Sequence, residues 1–289
     1  GLGEGNHREP RMRDRVVLVT GATDGVGKET ARELAARGAH ILVHGRDPGT
    51  TERTAARIAQ AGARATPLVA DLASLGQVRR LADDVKAATP RLHVLVNNAG
   101  VYARERRLSE DGYELTFAVN HLAHFLLTLE LMELLQASAP ARVVTVSSMT
   151  HTQGRLDFAD LMRAGRYDGY DAYATSKLAN VLFTRALAAR LAGTGVTANA
   201  LHPGVVATKL LRAGFAGASG MGAREGAATS VYVATAPEVA EVSGGYFVSS
   251  RRARPAAVAA SDALAEQLWA ESERLVREAL AAAGAAAPA

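Results

Sequence analysis

The chain has 289 residues, 48% of them apolar and 21% charged, with a formal charge of +4 and no cysteine. That length suffices for one large α/β domain, and the missing cysteine excludes disulfides, cysteine–zinc centres and a thiol nucleophile. No apolar run reaches the roughly 18 residues that a membrane span needs, and the densest basic cluster, Arg104–Arg107, is interrupted by Glu105, which argues against nucleic-acid binding.

A Gly-rich, charged stretch over residues 1–14 predicts a flexible tail, followed by one domain over 15–282 and a frayed Ala-rich end over 283–289. Arg15–Thr20 is an apolar, β-branched run that predicts a buried strand. Residues 26–37 have helical spacing and stop at Gly38, a C-terminal cap. The alternation then repeats: strand 39–43, helix 51–61, strand 65–70, a helix from Ser74 to about 88, strand 92–96. A long helix is predicted over 111–137, then strand 142–146, helix 172–192, strand 196–201, helix 222–236, a short strand 246–248 and a terminal helix 259–282. About seven strands separated by helices imply a single doubly wound α/β Rossmann domain, a parallel sheet covered by helices on both faces. Ligands of such sheets bind at the carboxyl ends of the strands. Gly21, Asp71, Asn97, Ser147–Ser148 and Pro203–Gly204 all fall at those ends.

The first strand turns into the first helix through Gly21, Ala22, Thr23, Asp24, Gly25, Val26 and Gly27. A tight turn needs residues without Cβ, and a pyrophosphate approaches backbone only where side chains are missing. The helix amino terminus adds free N–H groups and partial positive charge. This predicts a dinucleotide site. After the second strand, where an enzyme preferring NAD usually places a carboxylate, stand Gly45 and Arg46. A guanidinium there suits the 2′-phosphate of NADP, with Lys28 as a second positive charge and the nearby Asp47 as the rival signal for NAD. Asp71 ends the third strand; it either accepts from an adenine amino group beside Leu72 or caps the following helix.

Tyr173 and Lys177 are four residues apart and share one face of their helix. A phenol has a pKa of about 10, and a neighbouring ammonium with the charge of an oxidised nicotinamide is expected to lower it, making Tyr173 a proton donor and acceptor for hydride transfer at a carbonyl. Ser148 can give a second hydrogen bond to the same oxygen.

Taken together and in this order, Gly21/Gly25/Gly27, Asn97–Gly100, Asn120, Ser148, Tyr173, Lys177 and Pro203–Gly204 resemble the classical short-chain dehydrogenase/reductase family over about residues 14–282. The segments 25–30, 119–125, 176–180 and 244–248, with the Leu268–Trp269 helix, are most similar to its retinol-dehydrogenase-like branch. The resemblance implies a tetrad. Tyr173 is the general acid/base; Lys177 lowers its pKa and holds the nicotinamide ribose; Ser148, rather than its neighbour Ser147, orients the substrate oxygen. Asn120 bends its helix and holds a water linking Lys177 to solvent. Asn98, Ala99 and Gly100 line the adenosine pocket, and Pro203, Gly204, Val206 and Thr208 flank the nicotinamide. Tyr173 follows Ser148 by 25 positions, more than in many members of the family. Residues 150–169 therefore form an excursion beside the site, a feature of the retinol-like branch.

Val101–Tyr102, the 149–170 excursion and the 205–221 segment, read as a lid, are expected to bound the substrate pocket. Met149 and Met162 point to a small lipophilic carbonyl or alcohol. His121 and His124 lack an acidic partner for a metal site, His151 is a candidate substrate contact, and His202 and Trp269 read as structural. The helices over 111–137 and 172–192 are expected to pair across a two-fold axis, giving a homodimer or homotetramer. A cytoplasmic NADP-dependent oxidoreductase is the leading expectation. Its rivals are a dinucleotide-binding redox sensor without turnover and, resting on basic charge alone, a nucleic-acid-binding module.

Overall fold

A computed structural model describes residues 11–204 and 222–286. Eight strands form one sheet: β1 (Val16–Val19), β2 (His40–Gly45), β3 (Ala65–Val69), β4 (Val94–Asn97), β5 (Ala141–Val146), β6 (Val196–His202), β7 (Tyr246–Val248) and β8 (Arg251–Ala253). Their order is β3-β2-β1-β4-β5-β6-β7-β8. All neighbours run parallel except β7 and β8, which are antiparallel. The sequence pattern anticipated seven of these; β8 is three residues long and carries two arginines, so it shows no apolar pattern.

The sheet is covered on both sides, and β1 shows why its sequence is apolar throughout. Val16 and Leu18 enter the core on one face, Val17 and Val19 the core on the other, as the two-residue period of a strand demands. One face is covered by α1 (Gly25–Ala36), α2 (Pro48–Gln60) and α8 (Ala223–Thr235). The other carries α3 (Leu75–Ala88), α4 (Leu115–Phe117), α5 (Ala123–Glu130), α6 (Met132–Ala137), α7 (Gly169–Leu191) and α9 (Asp262–Ala286).

Helix starts follow capping chemistry. Asp24, Asp47, Ser74 and Asp168 each accept a backbone N–H of the first turn of α1, α2, α3 and α7. The single helix expected over 111–137 is divided. Asp111 accepts the Leu75 N–H at 2.9 Å at the head of α3, Glu114 caps α4 through Thr116 N and Phe117 N, and a π turn over Ala118–Leu122 separates α4 from α5.

The ordered chain is longer than expected at both ends. Met12, placed in the predicted flexible tail, is buried in the core with its N–H on Arg37 O at 2.7 Å. The terminal helix, predicted to fray from residue 283, continues to Ala286. Every residue of α7 from Ala172 to Thr184 is buried, because the sheet takes one side and α9 the other. Ala265, Leu268, Trp269, Ser272, Leu275, Val276 and Ala279 form the buried stripe of α9. Trp269 stacks on Phe183 at 5.9 Å between centroids and meets the edge of Phe125 at 5.0 Å. The terminal helix thus lies on the α7 part of the surface expected to pair with a second subunit, and its Trp269 reaches Phe125 of α5.

Candidate active site

The strand order reverses beside β1, between β1 and β4, and the site grows from that crevice. Gly21 has φ +61, and a Cβ on it would lie 2.9 Å from Ala99 Cα. A Cβ on Gly27 would lie 2.1 Å from Gly21 O, so the first turn of α1 packs directly on the glycine turn. Asn98 stitches the two strand ends together. Its Nδ2 donates to Thr20 O at 3.1 Å, and Thr20 Oγ1 accepts from Asn98 N and Ala99 N at 2.9 and 3.0 Å. Gly25, Val26 and Thr23 remain half-buried, and Gly100 is exposed. Asp24 is exposed and spends its carboxylate on Gly25 N at 2.9 Å.

The pattern reading missed His44. It is buried in β2, accepts Gly21 N–H on Nδ1 at 3.0 Å and places Nε2 at 2.9 Å from Ala70 O. It therefore ties the glycine turn to the end of β3. The signal in the sequence was a second histidine following the apolar Ile41–Val43 run of β2. Arg46 is exposed at the end of β2. Asp47 accepts from Thr50 N at 2.7 Å and Thr50 Oγ1 at 2.8 Å, and these bonds hold its carboxyl below the usual range. Lys28 is half-exposed. Asp71 Oδ1 accepts from Ala73 N at 2.9 Å, while the α3 cap is Ser74. Leu72, expected beside an adenine ring, is buried in the core.

Of the tetrad candidates, Asn120 and Lys177 both come close to Gly100 beyond the end of β4, and Lys177 also reaches the end of β5. Tyr173 is 7% exposed, and Lys177 Nζ lies 5.5 Å from its ring centroid. Lys177 is 3% exposed and donates to Val146 O at 3.1 Å. Burial pushes the Lys177 ammonium down to about 8. Burial, followed by the nearby Tyr102 phenol, pushes the Tyr173 phenol well above its usual range. Both groups are withdrawn from water, and desolvation is the leading effect on each. Tyr102, whose ring is 5.4 Å from that of Tyr173, forms the adjoining wall.

The serine pair divides cleanly. Ser147 is buried and donates to Lys177 O at 2.8 Å. Ser148 is half-buried, and its Oγ accepts from Thr150 N at 3.1 Å, leaving the hydroxyl hydrogen to point elsewhere. Asn120 occupies the π turn. Its Oδ1 accepts from Val101 N at 2.8 Å, and its Nδ2 donates to Val101 O and Ser176 Oγ at 3.1 and 3.0 Å. Its backbone carbonyl faces Asn180 Nδ2 at 2.9 Å and His124 Nδ1 at 3.2 Å.

The excursion after Ser148 wraps the start of α7: Tyr167 donates to Ala103 O at 2.6 Å and Arg163 Nη2 to Thr175 Oγ1 at 2.6 Å. Met149 is 47% exposed, whereas Met162 is half-buried with its sulfur accepting from Glu114 N at 3.3 Å. His151 is 1% exposed with both ring nitrogens at backbone partners, so it is withdrawn from any substrate. His121 faces Ser272 Oγ at 2.8 Å and His124 faces Thr20 Oγ1 at 2.9 Å. Among the described residues no group of three or more histidines and carboxylates could hold a metal. Pro203 and Gly204 end β6, half-buried; Val206, Thr208 and the expected lid over 205–221 lie outside the described residues. No helix among the described residues is long and apolar enough to cross a membrane.

A family model described as short chain dehydrogenase matches residues 15–218. The human protein named retinol dehydrogenase 13 is 43% identical over 279 residues, covering 91% of this chain and 84% of that one. The mouse protein named polyprenol dehydrogenase is 44% identical over 286 residues, covering 92% and 85%. A crystal structure of a short chain dehydrogenase from Burkholderia cenocepacia in complex with NADP is similar at a TM-score of 0.68 and 28% identity, covering 82% and 96%.

Proposed function

The chain belongs to the short chain dehydrogenase family, in its retinol-dehydrogenase-like branch, and from that membership we propose that it transfers a hydride between NADP(H) and the carbonyl or alcohol carbon of a small lipophilic ketone, aldehyde or alcohol. The observation that carries this reading is the buried pair Tyr173–Lys177 on α7, with Lys177 bonded to Val146 at the end of β5, two residues before Ser148. A fully buried lysine is costly, and set beside a phenol it supports proton transfer in addition to dinucleotide binding.

The residues fit a dinucleotide. The glycine turn leaves no room for a Cβ at Gly21 or Gly27, and the start of α1 offers backbone N–H groups to phosphate. Gly21, Thr23, Gly25, Val26 and Gly27 would hold the pyrophosphate, Asp71 and Asn98–Gly100 would line the adenosine side, and Lys177, Pro203 and Gly204 would take the nicotinamide side. NADP is proposed over NAD because Arg46 stands exposed at the end of β2 while Asp47 is engaged as a helix cap. When bound, the nicotinamide supplies or accepts the hydride.

Tyr173, held protonated by burial, gives its proton to the developing alkoxide during reduction and takes it back during oxidation. Ser148 receives Thr150 N–H on one lone pair, so its own hydrogen is available to the same substrate oxygen. Lys177 uses one of its three donors on Val146 O, and the remaining two are available to a ribose hydroxyl and to the Tyr173 oxygen. Asn120 holds the backbone of Val101 beside the site. The relatives named for retinol and polyprenol, the exposed Met149 and the aromatic wall of Tyr102 support a lipophilic substrate. A homo-oligomer would use a surface other than the α7 face on which α9 lies, and the cysteine-free composition supports a cytoplasmic setting.

The test is turnover of all-trans-retinal and a panel of aldehydes and ketones with NADPH and with NADH, followed by cofactor absorbance. NADPH should give the higher kcat/KM. Tyr173→Phe should lower kcat by about 10²–10⁴-fold while NADPH affinity holds. Full activity in that variant, or no turnover of any carbonyl by the wild type, refutes the reading.

A further inference from the structure

The sheet ladder ends just before Ser148. The last β5–β6 pair is Val146 with Leu201, and Ser147 N makes one further bond to Leu201 O at 2.7 Å. The peptide between Ser148 and Met149 lies past the ladder, and Met149 is 47% exposed. Its two polar groups are nonetheless held, each by a histidine from a different part of the chain. His202 Nδ1, at the end of β6, accepts Met149 N–H at 2.8 Å. His151 Nδ1 lies 2.8 Å from Ser148 O, which also accepts the His151 backbone N–H at 3.1 Å, and the ring Nε2 accepts Ala256 N–H at 3.0 Å.

These partners dictate the protons. A ring nitrogen facing an N–H carries none. His151 is therefore protonated on Nδ1 and donates to the Ser148 carbonyl, while His202 is protonated on Nε2. Both rings are buried, and burial lowers the pKa of each, that of His202 to about 4. Tyr246 lies edge-on to His151 at 5.0 Å and holds the ring upright.

We propose that His151 and His202 are positioning residues that act through Ser148: by gripping both ends of the peptide that follows it, they set the direction of the Ser148 hydroxyl toward the substrate oxygen. The inference rests on the proposed role of Ser148. His202 extends the hold of β6 by one residue beyond the ladder, and His151 anchors the serine turn to Ala256, which follows β8. A hydroxyl displaced by an ångström loses its alignment with a reacting oxygen, and such misplacement costs up to about 10²-fold in rate.

The test is a double-mutant cycle read with NADPH and all-trans-retinal, together with NADPH affinity by fluorescence. His202→Leu removes the acceptor of Met149 N–H; His202→Asn keeps an oxygen at the δ position. His202→Leu should lower kcat by roughly 10–100-fold with KM and NADPH affinity little changed, and His202→Asn should restore most of it. In a Ser148→Ala background, His202→Leu should add almost no further loss. His151→Gln keeps an acceptor for Ala256 N but has no δ donor; with the backbone N–H of residue 151 still on Ser148 O, it should give a smaller loss than His202→Leu, again only when Ser148 is present. An equal loss with or without the serine overturns the inference and leaves the wider function standing, whereas full activity of Ser148→Ala refutes the role of the serine itself. Imidazole 15N spectra of the wild-type protein check the geometry without a variant or turnover. His151 should be protonated on Nδ1 and His202 on Nε2, and the opposite assignment for either ring overturns the clamp.

Discussion

Lys177 offers a prediction in which function and stability point in opposite directions. Lys177 is 3% exposed, and its ammonium donates to the Val146 carbonyl at 3.1 Å. Burial lowers its pKa from the ordinary 10.5 to about 8, which corresponds to about 3 kcal/mol against the charged form at neutral pH. Replacing Lys177 by Met keeps the length and apolar stem and removes the charge. The lost hydrogen bond to Val146 costs about 1 kcal/mol, so Lys177→Met should be more stable than wild type by about 2 kcal/mol at pH 7, a rise in Tm of about 3 °C.

The pH dependence follows from proton counting. Between pH 8 and 10.5 the unfolded lysine holds a proton that the folded one has released. Wild-type stability therefore rises with pH across that window. The advantage of Lys177→Met should be full below pH 8 and gone above 10.5. Urea melts of the cofactor-free proteins at pH 7 and near pH 10 provide the assay, with turnover as a second readout, since the variant should lose most activity. A variant that is less stable than wild type at pH 7, or whose difference from wild type is the same at both pH values, refutes the reasoning.

Other outcomes follow from single contacts. Gly27→Ala places a methyl 2.1 Å from Gly21 O and 2.3 Å from Asn98 Nδ2, so NADPH affinity should fall by about an order of magnitude or more as the turn is pushed open, measured by fluorescence titration. Trp269→Ala removes the ring packed between Phe125, Phe183 and the Arg190 guanidinium, which sits 3.9 Å from its centroid. It should cost about 3–5 kcal/mol by denaturant melts, because α9 loses its main anchor on α7. Arg46→Ala should lower the NADPH-over-NADH ratio of kcat/KM by about 10-fold through loss of a charge-assisted contact, and an unchanged ratio assigns the preference elsewhere.

Period and punctuation made the doubly wound fold legible before any coordinates: β-branched runs such as Val16–Val19, buried on both faces, and turns at Gly21, Gly38 and Gly62 where φ is positive. The order of glycine turn, Asn120, Ser148, Tyr173 and Lys177 likewise carried the family, because their chemistry demands residue types that a linear pattern displays. Elements whose cause is not local escaped. β8 exists because β7 offers it an edge, the break between α4 and α5 belongs to a π turn around Asn120, and Met12 is ordered by Arg37 O across the fold.

The sequence by itself determined the sheet, the crevice and the residue types at its mouth, since strand and helix periods and capping are properties of short segments. Only the tertiary structure decided how those residues are charged and held. The protonation of Tyr173 and Lys177 depends on how completely water is excluded around them, and the orientation of Ser148 on histidines 3 and 54 positions further along the chain. Desolvation and long-range hydrogen bonds are sums over neighbours distant in sequence, and no local pattern records them.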